Sequence, residues 1–435
     1  MLAPRASYGD QPPKADQAAR RMNILHVLSQ HEVTGAETYA AALIARQARD
    51  GHRVVVVSDT LSTPVEAEYL PMPIGKRDYV QRLRNVLALR RLIRRRGIHL
   101  VHAHARAASW VAFFATRLSR VPLVSSLHIL QSPHLSARLF SVYGEEMVSV
   151  TRTIRAQAVR VLGLPPSRVH LVRNGVDCEW LADAPRRADA RSALGIPDDV
   201  PVVVLVGRLS GRRTAVAVDA VSEIFPRVRA AVPSARLIVV GGMKMPESFP
   251  ALVVATNRRL GGEAVRHVGH QWDVRPFLAA ADVVIAAGRS AIEALVVGRP
   301  VVALGEACYV GIVSAATADE AMRSNFGDFA KSGPPDPSVV AADVVALLGD
   351  EGRRRELKAW GGAFARRTYD VRLVWQQLQA VYRAALALKG RANGIAPRRG
   401  PLGRGEDLLQ ALEGVAGRDV EAAAALRERV VQAEL

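Results

Sequence analysis

Several things are scarce in this sequence, and each scarcity narrows what the chain can be. There are two cysteines in 435 residues, Cys178 and Cys308, and neither stands in CxxC or Cys/His spacing. A disulfide framework and a structural zinc site are therefore not expected, and a reducing compartment fits. No apolar run reaches the roughly 18 residues that a bilayer crossing needs. The stretch from Met1 to Arg21 holds Pro, Asp, Gln and Lys but no apolar segment. It reads as a disordered leader over residues 1–22 rather than a secretory signal, so the expected location is cytoplasmic. Aromatics make up 5% of the chain, which leaves the packing to aliphatic side chains. Lysine is scarce too: six lysines sit among 59 basic residues, against 41 acidic ones, for a net charge of +18. Such a balance points to nucleic acid, an anionic membrane or a phosphorylated ligand. Nucleic acid is disfavoured, because no RNP, helix-turn-helix or zinc signature accompanies the charge. Arginine is spread along the whole chain beside Ala and Val, and most of it reads as composition.

What is present is a twofold alternation of strands and helices. Buried strands are expected at 23–29, 53–59, 99–104, 122–128, 146–151 and 169–174, with helices at 38–50, 79–96, 106–119 and 152–163. Continuous Val/Ile/Leu runs of this kind belong to parallel sheets covered on both faces. After a linker with a short helix (182–199), a second set begins at Pro201-Val-Val-Val-Leu-Val-Gly207. It continues with helix 214–231, strands 235–241 and 264–269, helix 273–280, strand 282–287, helix 290–297 and strand 300–304. The fold class is α/β, with two tandem Rossmann-like doubly wound domains and a cleft between them. Their limits are expected at 23–185 and 190–368. A terminal helix at 369–389 and a linker with a solvated helical tail at 390–435 complete the chain.

Open parallel sheets bind ligands on the loops at the carboxyl ends of their strands. Gly35, Ala36 and Glu37 follow the first strand at a helix start, where small residues let a ligand approach the backbone; an ordinary strand-to-helix turn explains them equally well. His128 ends the expected strand 122–128, where it is either structural or a contact for a sugar hydroxyl. His102 and His104 alternate on one strand and are expected in the core, with no metal site nearby. Gly207-Arg208-Leu209-Ser210-Gly211-Arg212-Arg213 releases a Val-rich strand into a Gly-bounded loop with three arginines. Guanidinium groups bind phosphate bidentately, so this loop reads as a diphosphate cradle. Ser290 and Glu293 stand three residues apart at another strand-to-helix junction. They form either a capping box or a site in which Glu293 takes ribose hydroxyls, and the two readings are compatible.

In their order and spacing these residues resemble the retaining, family 4 type of GT-B glycosyltransferase, over about residues 23–388. The resemblance rests on the opening strand with Gly35-Ala36-Glu37, on Leu100-Val-His-Ala-His104 and on the strand ending in His128. It rests further on Val169-His-Leu-Val-Arg-Asn-Gly-Val-Asp177, on Gly207-Arg208-Leu209 with a cation at Arg213, and on His267-Val-Gly269. It implies an acceptor loop at Gly35–Glu37 and a donor site of Gly207, Arg208, Arg213, Ser290 and Glu293. It implies His128 beside the donor sugar, retention by front-face attack, no metal and no cofactor. The donor would be a UDP- or GDP-linked sugar, and the acceptor a lipid-linked or cell-envelope molecule. Two departures stand out. The family's paired glutamates lie eight positions apart, and here the first place falls on Ile285. The family's phosphate-binding lysine is replaced by Arg213, which keeps the charge and changes the geometry.

Helix 79–96 carries seven arginines, with Leu83, Val86, Leu87 and Ile93 toward one side. In the resembled family such helices dock on anionic membranes; a Rossmann helix with a solvated basic face is the stronger reading here. Two further functions compete with sugar transfer: a catalytically impaired nucleotide- or partner-binding protein, and a nucleotide-sugar epimerase. The oligomeric state cannot be read from the sequence.

Overall fold

Strands that are apolar on both faces must lie between two helical layers, and the Val/Ile/Leu runs do so in two separate sheets. The computed structural model describes residues 21–29, 35–61, 63–76, 78–131, 141–242, 245–329 and 335–394. Most of the expected leader and tail thus lies outside the described residues, as does the turn residue Thr34. The first half consists of β1 (Asn23–Val27), α1 (Gly35–Arg49), β2 (Arg53–Ser58), β3 (Glu68–Pro71), α2 (Tyr79–Arg95), β4 (Leu100–Ala103), α3 (Arg106–Ser119), β5 (Leu123–Leu127), β6 (Glu146–Ser149), α4 (Arg152–Arg160) and β7 (Val169–Leu171). Its seven strands run parallel in the order β3-β2-β1-β4-β5-β6-β7.

Short helices α5 (Cys178–Ala182) and α6 (Arg187–Leu194) lead to the second half. This comprises β8 (Val202–Gly207), α7 (Thr214–Asp219), α8 (Phe225–Ala231), β9 (Arg236–Gly241), α9 (Ser248–Leu260), β10 (Val265–Gly269), α10 (Arg275–Ala280), β11 (Val283–Ala286), α11 (Gly288–Val296), β12 (Val301–Leu304), β13 (Tyr309–Ile312) and α12 (Ala318–Ser324). The order is β10-β9-β8-β11-β12-β13, parallel except for the β12/β13 pair. Helices α13 (Pro337–Gly349), α14 (Glu351–Tyr369) and α15 (Val371–Gly394) follow. A π-helical turn at Ala220–Ile224 joins α7 to α8 into the single helix expected at 214–231.

Strands β3 and β13 were not anticipated. Each has four residues at a sheet edge; β3 ends in Pro71 and β13 contains Gly311, so neither carries a strand pattern. A second correction concerns α2. Val86, Leu89 and Ile93 are buried, whereas Leu87 is 37% exposed, so Leu87 belongs to the arginine side of the helix.

In both sheets the strand order reverses once, between β1 and β4 and between β8 and β11. These are the topological switch points, where a crevice opens at the carboxyl ends of the strands. The two halves are joined below. Val176 pairs with Asp370, and a Cβ on Gly175 would come within 2.9 Å of the Val371 Cα, so the turn after β7 needs its glycine. Helix α15 then crosses the first sheet, packing Val374, Trp375, Leu378 and Tyr382 against Ile24, Leu43, Leu100 and Val124.

Candidate active site

At the second switch point the chain leaves β8 through Gly207 and the exposed Arg208, then turns at Leu209 with φ +43°. A buried leucine in the left-handed region is backbone strain, and its surroundings must impose it. Thr214 Oγ1 donates to the Leu209 carbonyl at 3.3 Å and closes the loop into α7. Arg213 is not free. Its Nη2 lies 2.8 Å from Asp328 Oδ1, and its Nε lies 3.7 Å from Glu306 Oε2. Burial raises the Asp328 carboxyl above its ordinary range; Arg213 and, less strongly, Arg208 pull it the other way.

Asp328 ends a second strained loop, in which Asn325, Phe326 and Gly327 all have positive φ, at +52°, +55° and +103°. The loop presses on the start of α11. A Cβ on Gly288 would stand 2.5 Å from Asp328 Oδ2, so that helix must begin with glycine. Two carboxylates and two guanidiniums therefore occupy the expected diphosphate cradle. Sequence reasoning gave neither acid a role at the site: Asp328 had the Asn-Phe-Gly-Asp turn as its local signal, and Glu306 lay in 305–311, a segment that departs from the resembled family's usual sequence.

The capping box is corrected. Helix α11 is N-capped by Ala287 with no side-chain hydrogen bond, and Ser290 is its third residue. Glu293 Oε1 instead accepts from Arg289 Nε at 2.7 Å, and Arg289 Nη1 donates to the Gly175 carbonyl at 2.9 Å. This arginine thus ties the donor-side helix to the first half while holding the glutamate. Ile285 lies inside β11 and is 2% exposed. One residue, Ala287, separates β11 from α11, so the loop that would carry a first glutamate is absent; a side chain has not simply been exchanged.

The first switch point has a different chemistry. His128 follows β5, its Nδ1 donates to Asn174 Oδ1 at 2.9 Å, and its Nε2 is buried without a partner. Burial lowers its pKa to about 4, against the raising effect of the Asn174 bond. His102 and His104 are in the core as expected, but the expectation that nothing nearby could complete a metal site with them meets His26 on β1, which joins them. One ring nitrogen from each of these three buried histidines lies within 4.8 Å of the other two, close enough to raise the question of a metal.

Their hydrogen bonds answer it. Burial holds all three imidazoles neutral, so each carries one N–H. The Gln47 Oε1 can only accept, so His26 Nε2 donates to it at 2.8 Å, and His26 Nδ1 accepts from His104 Nε2 at 2.8 Å. Gln47 Nε2 donates to the Tyr382 hydroxyl at 3.4 Å, and neutral His102 links that hydroxyl, through Nδ1 at 2.7 Å, to Ser126 Oγ, through Nε2 at 2.7 Å. Five of the six ring nitrogens are engaged. The sixth, His104 Nδ1, is a buried acceptor without a donor, and the His104 ring stacks on His128 at 5.7 Å. The cluster is a hydrogen-bonded relay that pins α15 to the sheet.

Gly35, Ala36 and Glu37 form the first turn of α1 rather than the turn before it. Glu37 is buried, and its Oε1 accepts from the Thr63 amide at 2.8 Å, so the carboxylate fastens the loop after β2. The structure thus gathers Gly207, Arg208, Arg213 and the start of α11 at one switch point, and His128 with His104 at the other. Across the halves, Arg152 pairs with Asp319 at 3.0 Å and Thr153 Oγ1 donates to the Arg323 carbonyl at 3.1 Å.

Comparison with known proteins gives a consistent result. The profile of Glycosyltransferase Family 4 matches residues 33–180, and that of Glycosyl transferases group 1 matches residues 200–332. A D-inositol 3-phosphate glycosyltransferase of Kineococcus radiotolerans is 28% identical over 338 residues, covering 70% of this chain and 75% of that protein. A glycosyltransferase from Rickettsia africae superposes with a TM-score of 0.67 at 14% identity, over 84% of this chain and 99% of that one. Anabaena HepE, solved with UDP and glucose, superposes with a TM-score of 0.61 at 19% identity, over 83% of this chain and all of that one.

Proposed function

Because the chain belongs to the GT-B glycosyltransferases of family 4 type, we propose that it moves a sugar from a UDP- or GDP-linked donor to a hydroxyl acceptor with retention. The observation that carries this reading is the arginine loop Gly207–Arg213 at the switch point of the second sheet. Arg208 and Arg213 receive the diphosphate, Arg213 exchanging the Asp328 carboxylate for phosphate oxygens. Glu293, fixed through Oε1 by Arg289, takes a ribose hydroxyl with its other oxygen. His128 Nε2 and His104 Nδ1 are acceptors lacking donors, and hydroxyls of the donor sugar supply what they lack. The acceptor hydroxyl attacks on the face from which the diphosphate departs, and a leaving phosphate oxygen takes its proton. Guanidinium groups carry the developing charge, so the step requires no metal. The name of the Kineococcus relative makes an inositol phosphate the first acceptor to try.

A thermal-shift screen of UDP-, GDP- and ADP-sugars tests this reading, followed by an assay for sugar-dependent release of the nucleoside diphosphate. One nucleotide is expected to stabilise the protein strongly. Tight nucleotide binding with no turnover on any acceptor would favour a binding protein instead.

One observation favours an acceptor presented at an anionic surface. Val80, Arg84, Leu87, Arg91, Arg94 and Arg95 fall on one face of α2, and all six are exposed. Apolar and cationic side chains on one exposed helical stripe suit shallow docking on charged headgroups. Among the described residues no helix is long and apolar enough to cross a membrane.

A further inference from the structure

At the end of α11 away from Gly288, a cavity of about 400 Å³ opens between the α5–α6 linker and α14. It is lined by five cations, Arg186, Arg187, Arg299, Lys358 and Arg366, and by no carboxylate. The nine residues of α11 place it roughly 13 Å from the start of that helix, well away from the donor cradle. Asp282 offsets one of these five charges, that of Arg187, and is otherwise taken up by groups outside the lining. Its Oδ1 holds Arg187 at 2.9 Å, and its Oδ2 holds the fully buried Arg191 at 2.7 Å and the Val202 amide at 2.8 Å.

Arg299 is the most exceptional of the five. Its Nη1 donates to the Ala281 carbonyl at 3.1 Å, while its Nε is buried with no partner. Burial lowers its pKa to about 10. A buried N–H on a cation is costly when nothing accepts from it. Two of the other cations lie close over glycines. The stem of Lys358 lies over Gly298, with Cγ 3.1 Å from where a Cβ would stand, and Arg366 Nη1 lies 3.2 Å from the same position on Gly362. The cavity also reaches the start of α6, whose N-cap Arg186 makes no side-chain capping bond.

We propose that this cavity binds an anion bearing one or two phosphoryl groups, at a site separate from the donor cradle. Guanidinium forks and an ammonium group are donors that phosphate oxygens accept from. A bound anion would bridge the linker between the two halves (Arg186, Arg187) to α14 (Lys358, Arg366).

The test is thermal denaturation of the full chain with inorganic pyrophosphate, orthophosphate or a hexose monophosphate, each titrated at constant ionic strength. Three proteins are compared: the unaltered chain, Arg208→Ala with Arg213→Ala, and that second protein with Lys358→Gln and Arg366→Gln added. Saturable stabilisation is expected in the first two. A half-saturation at least tenfold weaker than in the second is expected in the third, whose added substitutions fall at exposed positions. Whichever phosphate compound saturates the second protein at the lowest concentration tells a free from an esterified ligand. Stabilisation matched by sulfate or chloride at equal ionic strength, or already lost in the second protein, would overturn the proposal.

Discussion

The two switch points of this molecule solve opposite electrostatic problems. At the first, four histidines are held uncharged by burial, and a chain of hydrogen bonds leaves two acceptors spare. At the second, Arg213 meets the carboxylates of Asp328 and Glu306 beside two strained loops. A neutral site suits the hydroxyls of a sugar, which offer directional donors and no net charge. A charged site with its own counter-ions suits a diphosphate, which displaces them. The same Rossmann layout thus presents a preorganised face and an exchangeable one.

Breaking the neutral side should have the largest effect on stability. His26→Ala leaves Gln47 and His104 without partners and opens a buried space, and it should cost about 3–5 kcal/mol in chemical denaturation. A loss under about 1 kcal/mol would show that the relay contributes little.

Acid should reach the same region next. His26 has a folded pKa of about 4 against an ordinary value of 6.5, so the unfolded chain binds the proton more readily between those values. Its contribution is present above pH 6.5 and is lost as pH falls toward 4, to a limit of roughly 3 kcal/mol. The denaturation midpoint should drop steeply from about pH 7 to about pH 4.5, and less steeply in His26→Gln.

The charged side makes a smaller prediction of opposite sign. Asp328→Asn removes the counter-ion of Arg213, so nucleoside diphosphate should bind about tenfold more tightly, the worth of one charge-assisted contact. Unchanged or weaker binding would mean that Asp328 orients Arg213 and does not compete for it. The smallest effect belongs to α2. Arg84→Gln with Arg91→Gln should reduce flotation with anionic liposomes at low salt several-fold and leave nucleotide binding untouched. Equal flotation of both proteins would remove the surface reading.

Most of the fold was legible because a doubly buried strand declares itself as an unbroken aliphatic run; Val54–Val57 and Val202–Val206 need no partner to be recognised. The edge strands β3 and β13 carry no such run. At the site, Gly207, Arg208 and Arg213 could be placed on a loop because they follow a strand directly. Their counter-ions could not, since Glu306 and Asp328 reach Arg213 only through the packing of β12, β13 and the turn after α12. His26 did leave a mark, as a polar residue inside Ile24-Leu25-His26-Val27, but its neighbours come from β4, α1 and α15. The capping box failed for a local reason: Gly288 adopts φ +56° under Asp328 and starts the helix two residues before Ser290.

The central claim is that the two switch points divide the donor between them, diphosphate to the arginine loop and sugar to the histidines. Calorimetric titration of UDP and GDP into Arg208→Ala with Arg213→Ala, and into His128→Ala, tests it directly. The account predicts that the nucleotide which binds the unaltered chain loses at least a hundredfold in affinity in the arginine variant, as two lost charge-assisted contacts imply, and keeps its affinity in the histidine variant. Undiminished nucleotide affinity without the two arginines would contradict it.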